Sequence, residues 1–282
     1  MRHSGFYRSS SLRQLCHIQR LLTTLHPQAE PQVQVVSGLP PRQDIIIFPS
    51  SFNPPTLAHL ALMRQAQYFA TRQMSYRHSI HIYAAMSKVT VDKEQVERPL
   101  LVERALLLQR VLRHRLPKTG ILLFNRGLYV EQAQAIRACF PQVQHIYFLM
   151  GFDKIIQIFD ARYYQDRDVA LTALFAEAKL LVAPRGTAGH AAFEELLHQP
   201  ENRVFAAHVL EIPLSAKYRA ISSSRVRAQV DRYAVPYEVR QFMRSTRAYA
   251  PPIQQADGSL FDYYAQHVQR LQRLFRLANC EK

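Results

Sequence analysis

A chain of 282 residues with 48% apolar content is long enough for one large α/β domain with a buried core, and no apolar run approaches the roughly 18 residues that span a bilayer. Its formal net charge of +15 and pI of about 10.0 favour polyanionic partners, with nucleotides and pyrophosphate as eligible as nucleic acid or an anionic membrane surface. The arginines are spread along the chain and neither a zinc finger, an RNP aromatic pair nor a leucine zipper is visible, so specific nucleic-acid recognition is not expected.

The segment before Glu30 carries Arg2, Arg8, Arg13 and Arg20 and no acidic residue, a composition shared with mitochondrial transit peptides. Leu12, Leu15, Ile18, Leu22 and Leu25 also recur at helical spacing, which favours an amphipathic helix packed on the domain. Gln28 to Arg42, rich in Pro and Gln, reads as a linker. Residues 1–43 are thus expected as a basic helix and linker, 44–250 as the main domain and 251–282 as a C-terminal amphipathic helix. Cys16, Cys139 and Cys280 are odd in number and scattered. That pattern suits reduced thiols in a cytosolic or nuclear protein rather than a disulfide framework, and none has metal-ligand spacing.

Apolar runs at Ile45 to Phe48, Ile80 to Ala84, Ile121 to Asn125, His145 to Met150, Leu180 to Ala183 and Val204 to Ile212 read as strands. Helical patterns follow at Thr56 to Ala70, Leu100 to Leu112, Val130 to Phe140 and Ser222 to Tyr233. Such βαβ alternation with right-handed crossovers gives a Rossmann-like, doubly wound α/β sheet, mostly parallel. Ligands of these folds lie outside the carboxyl ends of the strands, where the strand order reverses. The last segment, Ser259 to Ala278, places Leu260, Tyr264, Val268, Leu271 and Phe275 on one side of a basic helix, which suits packing or a homo-oligomer contact more than a membrane-surface helix.

The stretch Ile45 to His59, IIIFPSSFNPPTLAH, is the most informative. A continuous apolar run suits a strand buried on both faces. Pro54 and Pro55 then suit a turn and a first helical position. The helix N-terminus that follows offers free N–H groups and the positive end of the macrodipole to an anion. Thr56 and His59, three apart, share a face of its first turn. Far along the chain ISSSRVR, Ile221 to Arg227, repeats the pattern of apolar strand, serines and helix start. No G-x-G-x-x-G, G-x-x-x-x-G-K-S/T or G-x-S-x-G occurs, which removes the dinucleotide fingerprint, the P-loop and the serine-hydrolase elbow.

SFNPPTLAH and ISSSRVR together resemble the first and last motifs of the nucleotidyltransferase superfamily. YFLMGFDK (Tyr147 to Lys154), LLVAPRG (Leu181 to Gly186) and VPYEVRQFM (Val235 to Met243) are similar, in order, to segments of its nicotinamide and nicotinate mononucleotide adenylyltransferases. The form of these motifs looks closest to the fungal nicotinamide-nucleotide branch. The resemblance implies transfer of AMP from ATP to nicotinamide mononucleotide, giving NAD and pyrophosphate, with Mg²⁺ held mainly by ATP phosphates and water and with no protein metal site. It implies that His59 holds the α-phosphate, that Arg227 holds the leaving phosphates with Arg225 as the other candidate, and that Lys93, or else Lys88, meets the substrate phosphate. Ser50, Ser51, Phe52, Thr56, Gly151, Asp153, Arg185, Ser222, Ser223 and Ser224 fall at its nucleotide-binding positions. Arg104, Tyr163 and Tyr164 fall near the mononucleotide.

The chain departs from the pattern at three points. Ser50 stands where the family usually has Gly, leaving its N–H available but altering how closely the nucleotide approaches. Trp is absent, so Tyr163 and Tyr164 are left to offer a π-face to the pyridine ring. Thr56 replaces the first His of the wider superfamily, as in nicotinamide mononucleotide enzymes. Other outcomes on the same fold are an ATP hydrolase, a transferase for another phosphorylated acceptor, or a weakly catalytic nucleotide-binding scaffold. A cytoplasmic or nuclear site is expected, with mitochondrial targeting left open.

Overall fold

The computed structural model describes residues 9–73, 80–89, 98–184, 189–278 and 280. In chain order these form α1 (Ser9–Thr24), β1 (Val33–Ser37), β2 (Gln43–Pro49), α2 (Leu57–Gln73), β3 (Ile80–Ser87), α3 (Leu101–Arg115), β4 (Thr119–Phe124), α4 (Tyr129–Cys139) and β5 (Val143–Gly151). Then come α5 (Phe152–Phe159), α6 (Arg167–Glu177), β6 (Ala178–Ala183), α7 (Gly189–His198), β7 (Val209–Glu211), α8 (Ala216–Arg219), α9 (Ser223–Arg227), α10 (Tyr237–Thr246), the short pair β8 (Ile253–Gln254) and β9 (Leu260–Phe261), and α11 (Tyr263–Leu277).

The central sheet has the order β1-β4-β3-β2-β5-β6-β7. All its pairings are parallel except β1 with β4. The chain leaves β2 toward β3 and β4 and then returns to place β5 on the other side of β2. This reversal creates a crevice at the carboxyl ends of β2 and β5. Ile45, Ile46 and Ile47 are fully buried because helices cover both faces. Ile46 and Phe48 pack into one core with Ile82, Leu106, Val239 and Phe242, and Ile45 and Ile47 into the other with Phe124, Phe148 and Ile155. A strand buried on both faces has no polar alternation, which is why β2 reads as a continuous apolar run.

The helical face expected near the N-terminus forms α1, which packs on α3 and buries Leu15, Ile18 and Leu22, with Leu25 buried just past its end. The Lys88 ammonium donates to the Leu22 and Leu25 carbonyls at 2.9 and 2.8 Å, satisfying acceptors at the end of that helix. Inside the stretch read as a linker, Val33–Ser37 is the edge strand β1. Two further expectations are corrected. The helix expected to reach Tyr233 ends at Arg227, where Gln229 takes a left-handed φ of 62°. Most of the strand expected over Val204 to Ile212 is a 3₁₀ turn, Arg203–His208, leaving only Val209–Glu211 in the sheet.

The thiols also differ from expectation. Cys16 and Cys280 are joined in a disulfide with Cα atoms 4.6 Å apart, and Cys139 is free and exposed. The core-facing side of α1 and the end of α11 meet there, 264 residues apart in sequence. The apolar face of α11, with Tyr264, Leu271 and Phe275 buried, packs on its own chain. Buried Glu103 receives the Tyr264 hydroxyl and lies 2.7 Å from His267 Nε2, while Asp262 accepts two hydrogen bonds from Arg98. Among the described residues no helix is long and apolar enough to cross a membrane.

Candidate active site

The carboxyl end of β2 turns sharply into α2. Phe52 is fully buried at a φ of 44°, a conformation uncommon for a residue with a Cβ. Its ring packs 5.0 Å from that of His59, with Phe48 at 5.7 Å on the same imidazole. Thr56 and His59 cap the helix reciprocally. The His59 N–H reaches Thr56 Oγ1 at 3.4 Å, and the Thr56 N–H donates to His59 Nδ1 at 2.9 Å. This is a capping box with His in the place usually held by Glu or Gln. A main-chain N–H has only a proton to give, so Nδ1 is the acceptor and the ring proton sits on Nε2. Nε2 points to Ser50 Oγ at 3.3 Å.

The two sequence motifs are bonded to each other. Ser223 Oγ donates to the Pro54 carbonyl at 2.9 Å, and Arg227 Nη1 donates to the Asn53 carbonyl at 2.8 Å. The Leu57 N–H adds a bond to the Ala234 carbonyl at 2.9 Å. Tyr249, whose hydroxyl is kept protonated by burial, donates to Asn53 Oδ1 at 2.8 Å. The SFNPP turn is therefore held in place by α9 and by the segment after α10.

Two cavities adjoin at this turn. The first, about 370 Å³, is lined by Ser50, Ser51, Thr56 and His59, by Gly151, Asp153, Lys154 and Gln157, and by Tyr218, Arg219 and Ser222 to Ser224. The second, about 290 Å³, is lined by Ser87, Arg104, Leu128, Tyr129, Gln132, Tyr163 and Tyr164. Pro49, Ser50, Ser51, Lys154 and Gln157 belong to both walls. Each cavity is of a size to take a small polar ligand. A Cβ on Gly151 would meet no atom within 4 Å, so the space in front of it is open. Lys154 Nζ donates to Gln157 Oε1 at 2.5 Å, and Arg219 is steadied by its Nε bond to the Leu214 carbonyl at 2.9 Å.

The structure brings most of the expected residues together and modifies several. Phe52 supports His59 from below and lines neither cavity. The Ser50 N–H, expected to be available, donates to the Ala85 carbonyl of β3 at 3.0 Å. Ser222 caps α9 by accepting from the Arg225 N–H at 3.2 Å. Arg227 lines neither cavity, because its guanidinium faces the Asn53 carbonyl, and Arg225 pairs with Asp231 at 2.6 Å. Lys88, the alternative to Lys93, is engaged by α1, and Lys93 and Arg185 lie outside the described residues. Arg104 is buried, donating to the Ser51 and Pro99 carbonyls at 2.7 and 3.2 Å, and that burial pulls its pKa down to about 10. Tyr164 donates its hydroxyl to the Ile158 carbonyl at 2.9 Å, whereas Tyr163 is 44% exposed.

Sequence reasoning missed Tyr129, Gln132, Lys154 and Arg219 as cavity residues. The first three follow the carboxyl ends of β4 and β5, and strand-end position was the signal that could have found them. Among the described residues no group of three or more His, Cys, Asp or Glu side chains is placed to hold a metal ion.

No family model matches the chain, and no curated protein matches it. Among solved structures it is similar to the Plasmodium falciparum nicotinic acid mononucleotide adenylyltransferase complexed with APC. Identity is 13% and the TM-score 0.49, over 74% of this chain and 98% of that one. It is also similar to a Vibrio parahaemolyticus protein assigned as a nicotinate-nucleotide adenylyltransferase, with 14% identity and a TM-score of 0.34, over 56% of this chain and 86% of that one.

Proposed function

We propose that the protein is an adenylyltransferase that joins nicotinamide mononucleotide to the AMP moiety of ATP, giving NAD and pyrophosphate. The observation that carries this reading is the pair of cavities sharing the Pro49–Ser51 wall at the switch point of the sheet. Two substrates seated there would meet with their phosphates at the common wall. ATP belongs in the first cavity, beside His59, Gly151 and Asp153, and the mononucleotide in the second, beside the tyrosines.

In the reaction a mononucleotide phosphate oxygen attacks the α-phosphorus of ATP, and the bond to the bridging oxygen of pyrophosphate breaks. The transition state spreads negative charge over the transferring phosphoryl group, so the protein needs fixed donors rather than a covalent nucleophile. His59 presents Nε2–H to an α-phosphate oxygen, held by the capping bonds that fix its ring. Lys154, in the wall common to both cavities, offsets charge on both phosphates. Arg219 takes the role toward the leaving phosphates that the resemblance gave to Arg227. Lys93 and Arg185 keep the roles implied by the resemblance. Mg²⁺ suits a wall with few carboxylates, because it is commonly bound through substrate phosphates and water, and when bound it would neutralise charge on the phosphates.

The test is to incubate the pure protein with ATP, Mg²⁺ and the mononucleotide and to follow dinucleotide and pyrophosphate together. Failure to form any dinucleotide defeats the proposal. Inorganic phosphate released without an acceptor identifies a hydrolase instead.

A further inference from the structure

The second cavity contains an observation that phosphate chemistry does not use. Gln132, on the first turn of α4, is 2% exposed and lies in the cavity wall. Its Nε2 donates to Ser87 Oγ at 3.1 Å and to the Gly127 carbonyl at 3.3 Å. The Gly127 carbonyl can only accept, so the side-chain amide cannot be flipped without losing that bond. Oε1 is therefore the remaining atom, and it is buried with no hydrogen-bond partner. Native proteins seldom retain a buried acceptor unpaired, because its desolvation goes uncompensated.

We infer that Gln132 reads the exocyclic group on the pyridine ring of the acceptor, selecting a carboxamide over a carboxylate. This rests on the assignment of the second cavity to a pyridine mononucleotide. The amide and acid forms of that ligand differ only at this group. A carboxamide brings N–H donors that pair with Oε1, whereas a carboxylate brings only acceptors and a negative charge. The cations of this wall, Arg104 and Lys154, can serve the phosphate that both ligands carry, so they do not by themselves distinguish the two. Two Arg104 nitrogens are already given to the Ser51 and Pro99 carbonyls. Tyr129 and Tyr163 line the same cavity and offer it aromatic surface. A site that hydrogen-bonds one group rejects an analogue that cannot reciprocate, because its own buried atom is left unpaired.

The experiment is isothermal titration of the full chain, with a non-reactive ATP analogue present, against nicotinamide mononucleotide and nicotinate mononucleotide separately. The amide is expected to bind about tenfold to a hundredfold more tightly, the range of one buried hydrogen bond. In Gln132→Met, close in size and without the acceptor, the ratio falls toward one. In Gln132→Glu, which keeps an acceptor and adds a negative charge, it widens. Thermal unfolding establishes that each variant is folded, and either one suffices. Equal binding in the wild type, preference for the acid through pairing with Arg104, or a ratio unchanged in a folded variant overturns the inference while leaving the mononucleotide cavity standing. Absence of binding by both ligands overturns the cavity assignment and the Gln132 role together.

Discussion

The paired bonds between Thr56 and His59 allow the folding role and the chemical role of this turn to be separated by two substitutions. Thr56→Val keeps the shape of a fully buried side chain but removes Oγ1, which accepts a long 3.4 Å bond from the His59 N–H and lies 2.8 Å from His59 Nδ1. Loss of such a cap costs about 1 kcal/mol. For a chain of this size that lowers Tm by about 2–4 °C. The Thr56 N–H still holds His59 Nδ1 at 2.9 Å, so the ring stays in place and dinucleotide formation falls less than about tenfold. His59→Gln has the opposite profile. Glutamine at this position can accept the Thr56 N–H as in an ordinary capping box, so Tm stays close to wild type. The donor proposed for the α-phosphate is lost, and kcat is expected to fall by about 10² to 10³. The assay is dinucleotide formation at saturating ATP, beside thermal unfolding by circular dichroism. If Thr56→Val loses as much rate as His59→Gln, the main-chain bond does not hold the ring. If His59→Gln keeps its turnover, the imidazole is not the donor.

Arg227→Met removes a charged donor from the Asn53 carbonyl, for a partly exposed group a loss of about 1–2 kcal/mol in urea unfolding; a loss of turnover above about a hundredfold with stability unchanged would instead mark Arg227 as a phosphate ligand. Gly120→Ala places a Cβ 2.5 Å from the buried Tyr83 ring and 2.9 Å from the Ser37 carbonyl, so destabilisation of about 1–3 kcal/mol is expected; an unchanged denaturation midpoint would show that the β1 edge yields. Alkylation of unreduced, unfolded chain should label one cysteine, Cys139, and reduction should expose all 3 cysteines and cost about 2–5 kcal/mol of stability; three labels without reductant disprove the crosslink. Burial, and secondarily the charge of Arg42, lowers the His81 pKa below 6.5. The folded state therefore favours neutral His81, and stability present above pH 6.5 declines as pH falls from there through the folded pKa. His81→Gln should flatten that part of the stability profile, and a decline of the same size in the variant refutes the assignment.

How much of this was legible in the sequence depended on the range of the interactions. β2 could be read because burial on both faces makes every residue of Ile45 to Phe48 apolar, and the turn after it because proline has few alternatives. β1 could not, because a five-residue antiparallel edge strand in a Pro/Gln-rich stretch has little pattern of its own. The early end of α9 gave no sign, since Gln229 rather than glycine takes the positive φ. The position of His59 was local information, fixed by Thr56 three residues before it. The orientation of Arg227 was not, because its partner Asn53 lies 174 residues away. The Cys16–Cys280 bond depends on two helices docking, which spacing cannot express. Gln132 looked like any helix glutamine until the Gly127 and Ser87 contacts fixed which of its atoms was spare.

The ridge formed by Pro49, Ser50 and Ser51 is a sill between two chambers, and Arg104 holds it from beneath through the Ser51 carbonyl. On the proposed assignment of the two chambers, changes along that sill, or at Arg104, shift the Michaelis constants of both substrates in concert. Changes at Ser224 or Tyr163, each confined to one chamber, can adjust one ligand alone. If the proposed assignment holds, an engineer wishing to exchange the acceptor while preserving ATP binding would therefore work outward from Tyr163 and leave the sill untouched.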